Sequence, residues 1–223
     1  MNQKFPAFIL MLALAACGGN EADKAATTEK QEAAATTGAS YAIDTTATTV
    51  NWRATHKGGM APRFGSIKVS NGSVSVENGA LTGGSFDVNL TTLTTDPASV
   101  TEAGKKAADL DGHLKSPDFF NVAKYPTAKF VITAVTAYDS TKAKSLLPGA
   151  TNLISGNLTL KDSTLNITFP AQVTIGASDV TATAKFVIDR TAWGINYKTE
   201  GSPENWMISK DIEIGFTLKA VKK

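Results

Sequence analysis

The sequence predicts an all-β fold, an antiparallel closed barrel of about eight strands with one short α-helix. From Tyr41 onward, apolar and polar residues alternate in many short runs, which is the pattern of strands with one face toward an interior. Turn-forming Asn-Gly pairs at residues 71–72 and 78–79 separate some of these runs. The convincing helical composition is around Thr101 to Leu114, with Thr101 as the expected cap. Residues 41–223 therefore form one domain.

Residues 1–16 have the layout of a secretory signal peptide. Lys4 gives a weakly basic start, and an apolar run from Phe5 to Leu14 follows that is too short to span a bilayer. Leu14 to Cys17 resembles a bacterial lipobox, in which cleavage leaves Cys17 at the N-terminus and its sulfur is acylated. Cys17 is the only cysteine, so it cannot form an intrachain disulfide. The alternative is a chance cysteine beside an ordinary cleavage site.

Acylation of Cys17 would anchor the protein permanently in the bacterial cell envelope. Gly18 follows the cysteine, and the Asp that signals inner-membrane retention in enteric bacteria is absent there. We therefore expect the outer membrane, with the protein facing the periplasm. Residues 17–40 contain no aromatic or branched aliphatic residue, so they are expected to form a flexible tether.

The charge balance does not indicate a charge-driven partner. The chain has 22 Lys plus Arg against 20 Asp plus Glu, and both signs are interspersed along the domain. This balance gives no electrostatic basis for binding nucleic acid.

The first strands are predicted from their alternation. Val50, Trp52 and Ala54 form one period-two run, and Phe86, Val88 and Leu90 form another. The second run follows glycines at residues 83–84, which would let the sheet bend or bulge as a closing barrel requires.

The central segment, residues 109–130, follows neither the helical nor the strand period. Ser116 can cap the turn that Pro117 opens, and this turn carries Phe119 and Phe120. The run from Phe130 then begins the next strand. We expect a helix, an aromatic turn and a strand to meet here.

The later strands alternate more clearly still. Val180 to Ile188 and Ile212 to Leu218 have strict period two, and shorter runs precede them from Leu158 to Ile175. A two-sheet sandwich is the structural alternative to a closed barrel.

Three separated patterns, HLKSPDFF at residues 113–120, YPTAKF at 125–130 and DRTAWG at 189–194, together resemble the YceI-like family of lipocalin-like, polyisoprenoid-binding bacterial envelope proteins. The resemblance covers residues 41–223. It implies a lipocalin-like barrel with an added helix, a long-chain lipid or isoprenoid ligand and no cofactor. Family members are often dimers, which makes a homodimer a further expected partner.

The alternating faces carry large apolar residues that could line a cavity. A ligand that buried about 400 Å² of apolar surface there would gain about 10 kcal/mol before ordering costs. Ordinary core filling is the alternative for each residue, and the turn aromatics could plug one barrel end. The candidates for lipid binding are Trp52, Phe86, Phe119, Phe120, Phe130, Phe186, Trp193 and Phe216.

Arg190 and His56 are the candidates for contact with a ligand head group. The forked guanidinium of Arg190 suits a phosphate or carboxylate, but an Arg at a strand end more often pairs with a carboxylate or with backbone carbonyls. Many family members have a His shortly before the Gly of the second strand, whereas this chain has Arg63-Phe64-Gly65. This departure leaves the head-group contacts open.

The sequence offers little for metal binding or catalysis. His56 and His113 are the only histidines, and a metal site would need both together with carboxylates such as Asp109 or Asp111, in no recognised spacing. There is no GxSxG elbow, Gly-rich phosphate loop or HExxH motif. We expect a lipid-binding lipoprotein that is not an enzyme. The leading alternative is an envelope structural or interaction lipoprotein with a fully packed barrel and no ligand.

Overall fold

The computed structural model describes residues 24–56, 61–199 and 208–223, and within these ranges the chain is almost entirely β-structure. The elements are β1 (Ala26–Glu29), β2 (Ala39–Ile43), β3 (Thr49–His56), β4 (Ala61–Glu77), β5 (Ala80–Thr95), a 3-10 turn (Pro97–Ser99), α1 (Ala107–Lys115), β6 (Thr127–Ala137), β7 (Asn152–Leu160), β8 (Ser163–Ile175), β9 (Asp179–Asp189), a second 3-10 turn (Arg190–Trp193) and β10 (Asp211–Lys222).

The sheet closes into an antiparallel barrel of eight positions. From β3 to β10 each strand pairs with the next along the chain, and β10 returns to pair with both β2 and β3. β2 and β3 share the eighth position, since both lie between β4 and β10. The closed barrel with one helix that the sequence predicts is therefore confirmed, and the sandwich is excluded.

Glycines bend the two longest strands, as the sequence predicts. β4 and β5 are 17 and 16 residues long, and their pairing shifts register between Ser75 and Val76, opposite Gly83 and Leu81. Gly84, the next residue, has φ of +146°, a conformation that favours glycine. These irregularities let the long strands coil around the barrel.

The two ends of the barrel differ. We call the end of the barrel where α1 lies the mouth end. Four strands finish there, β3, β5, β7 and β9. The other four start there, β4, β6, β8 and β10. The opposite end, which we call the packed end, has a buried apolar core that includes Tyr41, Val74, Ile154, Val180 and Leu218. The barrel is thus filled by its own side chains over one half only.

The helix begins later than the sequence predicts. α1 starts at Ala107, after Lys106, whose side chain makes no capping hydrogen bond, so the expected cap at Thr101 is wrong. Gly104 has φ of +76°, which a right-handed helix cannot include. The chain therefore turns at this glycine before the helix begins. Among the described residues, no helix has the length and hydropathy to cross a membrane.

The predicted aromatic turn after α1 is present. The Ser116 hydroxyl accepts a hydrogen bond from the Asp118 N–H at 3.3 Å, and the Phe119 N–H donates to the Ser116 carbonyl at 3.1 Å. The cap at Ser116 is confirmed.

The segment expected to be a flexible tether packs on the barrel over residues 24–38, which we call the strap. β1 pairs with residues 165–168 of β8, and the Ala25 N–H donates to the Val187 carbonyl of β9 at 2.8 Å. Farther along, the Ala34 N–H donates to the Ile132 carbonyl, and the Thr82 hydroxyl donates to the Thr37 carbonyl, each at 2.9 Å. The strap thus crosses from β9 to β5. Hydrogen bonds to its backbone hold it, and the small side chains of Ala25 and Ala34 pack against the core.

The side chain of Asn157 in β7 makes two hydrogen bonds to the backbone of the strap. Asn157 accepts from the Gln31 N–H at 3.0 Å and donates to the Gln31 carbonyl at 2.7 Å. Asn166 donates to the same Asn157 oxygen at 3.1 Å, and both asparagines are buried, with 6% and 4% of their surface exposed. A buried amide with satisfied donors and acceptors gives a specific contact.

Asn157→Ala is expected to release the middle of the strap. The substitution removes both bonds to Gln31 and should lower the free energy of unfolding by about 1–3 kcal/mol. Amide hydrogen exchange over residues 26–34 should become faster, because local opening costs less when these bonds are lost. Asn51→Ala, at an exposed asparagine of β3, is the matched control. Unchanged exchange in the Asn157 variant would contradict the role of this contact.

Candidate functional site

The mouth half of the barrel contains a cavity of about 660 Å³. Its wall consists mainly of apolar side chains that point inward from the strands, and α1 and the chain after β9 complete the wall at the mouth end. The volume lies within the range of about 300–1,000 Å³ that is usual for sites binding small molecules.

Five phenylalanines from five strands meet in the wall of this cavity. The rings of Phe169 and Phe186 stack at 4.1 Å, and Phe130 and Phe216 contact Phe169 at 5.7 and 5.9 Å. Phe86 lies 5.4 Å from Phe130, so the rings form one continuous surface. Phe169 is absent from the sequence-based candidates. Its alternation with Ile167 predicts its strand, but which face lines a cavity depends on the closure of the barrel.

Gly156 makes room for one of these rings. A Cβ atom at Gly156 would lie 2.1 Å from Cζ of Phe130, so the ring lies directly against the glycine backbone of β7. Aromatic rings commonly cover glycines in this way on neighbouring strands. The glycine therefore fixes the position of Phe130 in the wall.

Gly156→Ala is expected to push the Phe130 ring toward the cavity and to lower the free energy of unfolding by about 1–3 kcal/mol, as overpacking does. Gly215→Ala is the matched control, since its Cβ would meet no atom closer than 3.8 Å. The control should stay within about 0.5 kcal/mol of the wild type in urea unfolding. Equal losses in the two variants would contradict the packing of Phe130 on Gly156.

Seven of the eight aromatic residues predicted from the sequence line the cavity. The exception is Trp193, which is 1% exposed and donates its indole N–H to the Leu158 carbonyl at 3.0 Å. Its role is to hold the second 3-10 turn against β7. The seven that line the cavity are Trp52, Phe86, Phe119, Phe120, Phe130, Phe186 and Phe216.

The turn aromatics lie at the mouth of the cavity. Phe119 packs in a cluster of three rings, 5.1 Å from His113 and 5.2 Å from Tyr197, and the latter two rings lie 4.9 Å apart. Phe119 is buried, whereas Phe120 is half-buried. The cluster joins the end of α1 to the chain after β9 and forms one side of the entrance.

Arg190 is used to hold backbone carbonyls. Its guanidinium donates to the carbonyls of Ser209 at 3.0 Å, Ile195 at 2.6 Å and Tyr197 at 2.9 Å. The residue is 4% exposed, and burial lowers its pKa, yet it remains the cation that organises this loop. Of the two roles considered from the sequence, the geometry supports carbonyl pairing. A ligand head group would have to compete with these bonds.

A charged network at the mouth includes His56. Its Nε2 lies 3.3 Å from Glu102 Oε1, and Arg63 pairs with the other oxygen of Glu102 while donating to the Ser99 carbonyl at 2.6 Å. The pKa of Glu102 falls to about 2, because its own backbone N–H and Arg63 donate to the carboxylate. Sequence reasoning missed Arg63 and Glu102 as a pair, since 39 residues separate them.

Polar groups concentrate at the mouth and apolar groups inside. The charged residues near the entrance include Lys105, Lys106, Asp109 and Lys198, whereas the interior wall is formed by the phenylalanines and by aliphatic residues such as Ile167 and Leu90. A molecule with a polar head and a long apolar tail matches this distribution.

The two histidines do not form a metal site with their neighbours. His113 pairs with Asp118 at 3.0 Å, and His56 bonds the Ala61 carbonyl and Glu102. Within the part of the chain that the structure describes, no three His, Cys, Asp or Glu side chains lie close enough together to hold a metal ion. Cys17, the predicted acylation site, lies outside the described residues.

A family model and one curated relative match this chain in sequence. The model of a family described as the YceI-like domain matches residues 41–220. A UPF0312 protein of Pseudomonas putida (strain W619) is 37% identical over 94 residues, which are 39% of this chain and 44% of that protein. The match thus spans less than half the length of this relative.

Two solved structures share the fold. BcnA of Burkholderia cenocepacia superposes with a TM-score of 0.59 at 17% identity, over 80% of this chain and 99% of that one. A polyisoprenoid binding domain from Saccharophagus degradans, implicated in plant cell wall breakdown, gives a TM-score of 0.54 at 14% identity, over 82% and 98%. The match to residues 41–220 covers most of the chain, and we conclude that this protein belongs to the YceI-like family.

Proposed function

We propose that the protein is a membrane-anchored lipoprotein whose barrel binds or carries an amphipathic lipid, with a polyisoprenoid as the expected ligand class. The observation that carries this proposal is the apolar cavity of about 660 Å³, with charged residues at its entrance. A cavity of this size is inconsistent with the fully packed barrel that the sequence left as the alternative.

The energetics favour a long apolar tail as the bound group. Each methylene that leaves water for the cavity contributes about 0.8 kcal/mol, so a chain of several isoprene units gains enough to bind without a charged anchor. The description of the Saccharophagus degradans domain as polyisoprenoid binding supports this choice, because that domain shares the fold.

The anchor is the second part of the proposal. The apolar run from Phe5 to Leu14, followed by Ala15, Ala16 and Cys17, supports cleavage before Cys17 and acylation of its sulfur. Acylation by two or more chains would hold the protein stably on a membrane. Together with Gly18 after the cysteine, this favours the periplasmic face of the outer membrane. The role is binding, without catalysis or a cofactor.

Titration of the delipidated protein with a long-chain polyprenol tests the binding proposal. Tryptophan fluorescence should change on binding, because Trp52 lines the cavity. Geraniol, which has the same head group and a short tail, should bind far more weakly, by about a factor of four for each methylene that is no longer buried. Equal, weak binding of the two alcohols would count against a lipid-binding cavity.

A further inference from the structure

The strap enters the barrel wall close to the mouth end. Lys24 bridges to Val187 of β9, two residues before that strand ends at Asp189. Its ammonium group lies 2.8 Å from Asp211 Oδ1 and 3.7 Å from Asp189 Oδ2. Asp189 ends β9 and Asp211 begins β10, so both carboxylates belong to the mouth end.

The proposed anchor lies a short chain length before this point. Lys24 is seven residues after Cys17, and seven residues can span at most about 25 Å. From Val187 to Asp179, at the packed end of β9, the strand runs about 26 Å at roughly 3.3 Å per residue. Barrel strands tilt by about 35–45°, so this run covers about 20 Å along the barrel axis. With the packed end on the membrane, the link from Cys17 to Lys24 would have to span most of its maximum length. With the mouth end on the membrane, only a small part of this length is needed.

The charges at the entrance suit an anionic surface. Lys105 and Lys106 are exposed and Lys198 is half-buried, and all three border the cavity. Two acidic residues line the cavity, Glu102, which pairs with Arg63, and Asp109. Asp189 and Asp211 at the same end pair with Lys24. Each lysine near an anionic membrane favours binding by about fivefold.

We propose that the mouth end of the barrel lies against the anionic surface of the bilayer that holds Cys17, so that the cavity opens onto the lipid head groups. The inference rests on the proposed function, since it needs both the acylated Cys17 and the lipid-binding cavity. In this orientation a lipid tail passes from the bilayer into the barrel with little exposure to water, which lowers the cost of transfer.

The test uses the acylated protein in vesicles of phosphatidylethanolamine and phosphatidylglycerol. One variant, Ala103→Cys, carries a fluorophore at an exposed position of the mouth end, and the matched variant, Ser178→Cys, carries it at an exposed position of the packed end. Acylation blocks Cys17, so each variant has one reactive thiol. Nitroxide-labelled lipid head groups then quench the fluorophore that lies near the bilayer.

Quenching should be at least about fivefold stronger at residue 103 than at residue 178, because the strands separate the two ends by about 30 Å and nitroxide quenching needs near contact. Equal quenching, or stronger quenching at residue 178, would overturn the orientation. Polyprenol binding by the same two variants separates this failure from failure of the proposed function. A mass that shows unmodified Cys17 would overturn both the anchor and the orientation.

Discussion

Ala128→Phe is expected to weaken polyprenol binding by about 30-fold while the barrel stays folded, since a loss of two to three buried methylenes corresponds to about 2 kcal/mol. Ala128 lies on β6 and lines the cavity. A phenyl ring at this position would project into space that the proposed lipid tail occupies. Fluorescence titration with polyprenol measures the change in affinity, and thermal unfolding verifies that the barrel remains folded.

The control for this variant is Thr127→Phe. Thr127 is the neighbouring residue of β6 and is exposed, so the same ring is added to the outer face of the same strand. Binding by the control should match the wild type. If folded Ala128→Phe protein bound polyprenol with unchanged affinity, the ligand would not lie in this cavity.

Arg190→Ala is expected to lower the free energy of unfolding by about 3–5 kcal/mol, which is the range for removing a buried charged group that satisfies several partners. The substitution leaves the carbonyls of Ser209, Ile195 and Tyr197 without their donor. The residues around positions 195–197 and 209 then lose the group that holds them together. Urea unfolding measures the loss.

Arg53→Ala provides the comparison, because Arg53 is exposed on β3. This variant should stay within about 0.5 kcal/mol of the wild type, as most surface substitutions do. The contradicting result would be an Arg190→Ala protein that has normal stability but no longer binds anionic lipids. That pattern would assign Arg190 to the ligand head group and contradict its structural role.

The strands could be predicted from the sequence because each buried face follows from local alternation. Val180 to Ile188 shows this well: every second residue is buried in β9, as period two requires. The same periodicity places Phe86, Phe130 and Phe216 on inward faces, and all three line the cavity. Closure of the barrel adds a condition that local alternation cannot supply, which is why Phe169 was missed.

The strap could not be predicted, because its partners are distant and its residues carry no hydrophobic pattern. Gln31 is held by Asn157, which is 126 residues away, and the bonds involve only the backbone of Gln31. An Ala, Thr and Glu-rich segment with this composition is typical of flexible linkers. In this protein residues 26–29 pair with β8 through their backbone, although their composition favours a flexible linker.

The entrance could be predicted only in part, because its contacts are made by irregular segments. His56 could be placed near the barrel mouth from its position at the end of a predicted strand. Its partner Glu102 belongs to a turn between β5 and α1, and the pairing depends on how that turn folds back on Arg63. The bonds of Arg190 depend likewise on the chain after β9. Contacts made by irregular segments carry no periodic signal in the sequence.

Native mass spectrometry of residues 18–223, which lack Cys17 and are exported in the protein's own host behind a cleavable secretory signal, tests the central claim most directly, because this form can be purified without detergent. The sample should retain the strap, since residues 24–38 form part of the barrel. We expect one long-chain lipid per protein, identified as a polyisoprenoid or a related molecule after extraction. A mass of the protein alone, unchanged after incubation with polyprenol, would contradict the account.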